Sequence, residues 1–93
     1  MKIVVVKFKD RSRLPIIGNL IEDSEDQIII DHVGYYDDCC HPQVVWSRDS
    51  FFIEINRRGF PLLKEEIERY YNPSEELENY FMSHYQEHEG LNV

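Results

Sequence analysis

Cysteine is scarce in this chain, and the only two, Cys39 and Cys40, are neighbours. Adjacent cysteines are poorly placed for disulfide geometry, so no intrachain disulfide framework is available and a reducing compartment fits. Long hydrophobic runs are also missing. None approaches the roughly 20 apolar residues that span a bilayer. Near the start only residues 3–6 are uninterrupted apolar sequence, too short for the core of a secretory leader, and a cytoplasmic location is expected. Glycine is limited to four residues, with no glycine-rich phosphate loop. A nucleophile motif and a paired Cys or His ligand set are lacking as well. The expectation is therefore a protein that is not an enzyme and carries no cofactor or metal.

Positive charge is in short supply and unevenly placed. Ten Lys and Arg face 18 Asp and Glu, giving a net charge of −8. Residues 1–20 hold five of the cations against one acid, while residues 61–93 hold two cations against eight acids. The whole chain thus repels a polyanion, and any nucleic-acid contact has to be local.

What is present is enough for one core. A chain of 93 residues with 42% hydrophobic content suits one domain and falls short of two. Residues 2–9 are β-branched and then alternate, as in a strand. Further strands are expected over residues 14–22, with Gly18 permitting a bulge or a tight bend, and over 27–33, 44–46 and 51–55. A loop is expected over residues 34–43. After Gly59 the apolar spacing becomes helical, with Leu63, Ile67, Tyr70 and Tyr71 on one face. Asn72, Pro73 and Glu75 read as a second helix start, followed by a stripe of Leu77, Tyr80, Phe81, His84 and Tyr85. The fold expected is mainly β: a five-stranded, strongly bent antiparallel barrel over residues 1–58. One or two helices follow, in an acidic extension over residues 59–93 packed on that barrel.

Over about residues 3–56 the strand order resembles the Sm/LSm family of RNA-associated ring proteins. The resemblance rests on Val6-Lys7-Phe8-Lys9-Asp10, on Gly18-Asn19-Leu20 and on Asp26-Gln27-Ile28-Ile29-Ile30-Asp31 for the first motif. Val44-Val45-Trp46-Ser47-Arg48-Asp49 and Phe51-Phe52-Ile53-Glu54-Ile55 stand in the place of the second. Arg11 and Asp49 replace family glycines, and SH3-like barrels share much of the same strand pattern. The resemblance implies a homo-oligomeric ring formed by edge-strand pairing. It also implies binding of RNA or single-stranded nucleic acid, with Gln27 reading a base edge and Arg48 contacting base or phosphate.

Other residues read as candidates in their own right. Lys7, Lys9, Arg11 and Arg13 recur at every second position and would form one basic stripe on an extended chain. The bland reading of that stripe is a solvated face or salt bridges between subunits. Tyr35 and Tyr36, placed in a loop, would offer rings to stacking bases. Asp37, Asp38, Cys39, Cys40 and His41 contain zinc-type donors, but three consecutive ligands cannot readily wrap one ion. A plain loop is favoured there, with a metal shared between subunits left open. His84 and His88 read as surface residues. The competing functional reading is an acidic module, or nucleic-acid mimic, that binds and inhibits another protein.

Overall fold

A computed structural model describes residues 1–37, 41, 43–46 and 57–89. These form a mainly antiparallel β domain with one C-terminal helix. The described residues include the strands β1 (Ile3–Phe8), β2 (Ile16–Asp23), β3 (Gln27–Asp37), β4 (Gln43–Trp46), β5 (Arg57–Leu63) and β6 (Ile67–Tyr71). A 3-10 turn at Lys64–Glu66 links β5 to β6, and helix α1 spans Glu75–Glu89.

The sheet runs in the order β4-β3-β2-β1-β6, with β5 also pairing to β3. The long strand β3 is shared. Its first half pairs with β5, from Gln27↔Leu63 to His32↔Arg57, and its last residues pair with β4, from Gly34↔Trp46 to Asp37↔Gln43. Gly34 allows this close approach, because a Cβ there would lie 3.0 Å from the Val45 carbonyl oxygen. The β2–β3 register slips between Ile17 and Gly18, but the extra residue is Val33 of β3, across from the glycine where a bulge or tight bend was expected in β2.

The sheet must be bent. Strands β5 and β6 lie on opposite sides of β1, β2 and β3, so a flat sheet would hold them about 19 Å apart, four strand spacings. The three-residue 3-10 turn joining them rises only about 6 Å. The sheet is therefore bent, bringing the end of β5 near the start of β6, and among the described residues no ladder joins these two strands. A polar clamp holds that bend. Lys64 Nζ lies 2.6 Å from Asp23 Oδ1, the Tyr70 hydroxyl donates to Asp23 Oδ2 at 2.7 Å, and the Lys64 amide donates to the Asp26 carbonyl.

Curling divides the core into two layers. The inner layer contains Val4, Val6, Phe8, Ile16, Ile28, Ile30, Leu62 and Ile67, drawn from β1, β2, β3, β5 and β6. The outer layer contains Ile3, Val5, Ile17, Tyr36 and Trp46 beneath Leu77, Phe81 and Tyr85 of α1. Strand β1 thus feeds even-numbered side chains inward and odd-numbered ones to the helix. That explains its unbroken Ile-Val-Val-Val run, since a strand covered on both faces need not alternate in polarity.

Several expectations require correction. Residues 61–71 are not helical. Phe60 and Leu62 point inward while Pro61 and Leu63 are exposed, and Tyr70 and Tyr71 go to opposite layers. Alternation prevails because β5 and β6 satisfy backbone groups on β3 and β1 that a helix would leave unpaired. The expected boundary at residues 58/59 therefore falls inside β5. Strand β3 continues to Asp37, so Gly34–Asp37 is strand where a loop was expected. The helix is capped by Ser74 in place of Asn72: Ser74 Oγ accepts from the Leu77 amide at 3.3 Å. Its buried stripe is narrower than expected, since Tyr80 is 43% exposed. The strand expected at residues 51–55 lies outside the described residues.

Candidate nucleic-acid interface

The outer face of β1 does not stay apolar beyond the helix. Two residues past Val5 the same face presents Lys7, and β6 sets Arg69 directly opposite it. One step back along the ladder, Val5 faces Tyr71, which packs against the outer layer. Arg69 and Tyr71 share one face of β6, as residues two apart on a strand do, and the Arg69 guanidinium carbon lies 4.9 Å from the Tyr71 ring centroid. A register shift between Lys7 and Phe8 leaves Glu68 as the extra, exposed residue of β6. Lys9 follows the strand, its side chain exposed and its amide donating to the Glu66 carbonyl at 3.0 Å. The result is a short basic strip of Lys7, Lys9 and Arg69, backed by an anchored aromatic ring.

The stripe expected from sequence is split by the turn after Asp10. The Asp10 carboxylate accepts from the Ser12 amide (2.9 Å) and hydroxyl (2.7 Å), and those bonds hold it below the usual aspartate range. The Arg13 amide then donates to the Asp10 carbonyl at 3.1 Å. Reversal of the chain carries the Arg13 guanidinium over the Phe8 ring at 3.7 Å from its centroid, with Nη1 3.7 Å from Glu66 Oε2. Phe8 belongs to the inner layer, so Arg13 leaves the face that carries Lys7. Arg11 is exposed within the turn.

The remaining candidates are placed as follows. Gln27 is half-buried at the start of β3, in register with Leu63, and its carbonyl accepts from the Ser24 amide. Tyr35 packs half-buried against the inner layer. Tyr36 is 9% exposed beneath the helix, so neither ring stands in a loop open to a base. Both were drawn into β3 by its pairing with β4. Arg48, Cys39 and Cys40 lie outside the described residues. His41 is exposed and lines a cleft of about 430 Å³ with Gln43, Val44, Ser74, Glu76, Leu77 and Tyr80. Among the described residues no group of three His, Cys, Asp or Glu is arranged to hold a metal ion, and no helix is long and apolar enough to cross a membrane.

Sequence reasoning missed Arg69 and Tyr71 because the segment was read at helical period. The extra residue Glu68 puts Ile67 and Tyr70, three apart, on the same inner side, so the segment does not alternate cleanly and no local signal finds Arg69 and Tyr71.

The β2–β3 turn and the 3-10 turn carry mostly charge of the opposite sign. Glu22, Asp23, Glu25 and Asp26 of the β2–β3 turn, and Glu65 of the 3-10 turn, are all exposed. Lys64 is the cation among them and is held by Asp23, which raises the Lys64 pKa and lowers that of Asp23.

The fold and this face define a mainly antiparallel β domain with a helix on its outer face. Compared with protein-family models, curated proteins and solved structures, the chain matches none of them.

Proposed function

We propose that this chain is a small β-barrel binding module of the Sm-like or SH3-like kind. Its partner, on this reading, is RNA or another single-stranded nucleic acid, and it acts by binding without catalysis. The barrel reading is supported by the bend that brings the end of β5 near the start of β6 and by the layer of side chains buried on the inner side of that bend. The observation that carries the function is the Lys7–Arg69 cross-strand pair, continued by Lys9. Together they bring three of the ten Lys and Arg side chains of an otherwise acidic chain to one end of the β1–β6 ladder. A strip of this size matches a few successive phosphates of one strand. Self-association is part of the proposal: β4 and β6 end the strand order, and edge strands are where another copy would add.

Binding of a short labelled RNA, followed by fluorescence anisotropy through a salt titration, tests this reading. Binding at low salt that weakens as salt rises is the expected result. Size-exclusion chromatography with light scattering tests the assembly, for which a mass of several chains is expected.

The acidic surface of the β2–β3 turn and the 3-10 turn supports a second reading, an acidic module that engages the basic surface of another protein. A chain that ignores RNA at low salt but binds a basic protein would favour it.

A further inference from the structure

We infer that Arg69, laid over Tyr71, is a stacking platform for a base, and that this pair gives the interface its preference for unpaired nucleotides over bare phosphate. The inference rests on the nucleic-acid reading above and deepens it. Tyr71 is half-buried and packed against the outer layer, so its ring is fixed from below by the core. Above the ring lies the Arg69 guanidinium, 4.9 Å from the ring centroid. A guanidinium held over an aromatic ring has its second planar face available to a further π system, while its in-plane N–H groups remain donors to phosphate. The order of layers would then be core, tyrosine, arginine, base. Lys7, opposite Arg69 in the ladder, and Lys9 beyond it supply charge for the flanking phosphates. A base inside a duplex keeps both faces covered by its neighbours, so the platform serves an unstacked nucleotide.

Lysine at position 69 separates stacking from charge, because an ammonium keeps the positive charge but has no planar face. The experiment compares a labelled oligouridine with an abasic oligomer of the same length and charge, on the wild-type chain and on Arg69→Lys. Arg69 is exposed, and a thermal unfolding curve for the variant that overlays the wild type shows that it folds. The wild type is expected to bind oligouridine about 5- to 150-fold more tightly than the abasic strand, the range for stacking one base. In Arg69→Lys that difference should collapse, with binding of the abasic strand little changed. Equal affinity of the wild type for both oligomers would overturn the platform while leaving the phosphate-binding strip in place. So would a base-dependent difference that survives in Arg69→Lys. Failure of either oligomer to bind the wild type at low salt would overturn the nucleic-acid reading, and the platform with it.

Discussion

Lys7 and Arg69 stand directly across from each other in the β1–β6 ladder, two like charges on one face. A phosphate backbone laid along that face would pass both cations. If three cations contact phosphate, log affinity for a single strand should fall with log salt at a slope of about −2, from roughly −0.7 per contact. Lys7→Gln should make that slope shallower by about 0.7 and weaken binding at low salt. A salt titration of both proteins measures the change. Arg13→Gln should leave the slope unchanged, because that guanidinium is committed to Phe8 and Glu66.

Phe81 is fully buried and stacks on Trp46, with ring centroids 5.0 Å apart and planes 22° apart. Trp46 also donates its indole N–H to the Tyr80 hydroxyl at 3.4 Å. Phe81→Ala should destabilise the fold by about 3–5 kcal/mol through lost burial and the cavity left behind. Trp46 is the single tryptophan of the chain, so its fluorescence in a denaturant titration reports the loss.

Gly59 adopts a left-handed conformation (φ 63°), and its amide donates to Asp31 Oδ1 at 2.8 Å. A Cβ at this position would meet no atom within 4 Å, so the cost of Gly59→Ala is conformational, about 1–2 kcal/mol. Asp31→Ala removes the acceptor and should also destabilise. Equilibrium unfolding of the two variants measures both effects.

The Asp23 clamp should make stability depend on pH at both extremes. Hydrogen bonds from Lys64 and Tyr70 hold the Asp23 carboxyl below its ordinary value. Its contribution is therefore complete above that ordinary value, about 4, and is lost as pH falls through the lowered one. The same contacts with Asp23 raise Lys64 and Tyr70 above their ordinary values. Their contribution is complete below about pH 10 and is lost as pH rises through the raised values. Melting temperatures across pH should fall on both sides for the wild type. In Asp23→Asn both limbs should be shallower.

Much of the β part of the fold was legible in the chain, and the reasons are local. Strands β1 to β3 have β-branched runs separated by polar turns, and Gly18 marked the place of the register slip but not the strand that carries the extra residue. Residues 57–71 were not legible, because Leu63, Ile67, Tyr70 and Tyr71 also satisfy a helical period. Only the open edges of β3 and β1, which are products of the fold, decide between the two periods. The same ambiguity hid Arg69 and Tyr71. The basic stripe was half legible. Alternation placed Lys7 correctly on the face away from Phe8, but the Asp10 turn, built from hydrogen bonds to Ser12, sent Arg13 to the other side. Tyr36 was misplaced for a related reason. Nothing local to Gly34–Asp37 reveals that β4 will pair there and draw that ring beneath the helix.

Amide chemical-shift mapping during titration with a short single-stranded RNA tests the proposed interface most directly. The largest shifts are expected at residues 7–9 and 69–71, with the β2–β3 turn at residues 22–26 unmoved. Saturable shifts confined to the acidic turn or to the cleft around His41 and Tyr80, or no shifts at low salt, would contradict it.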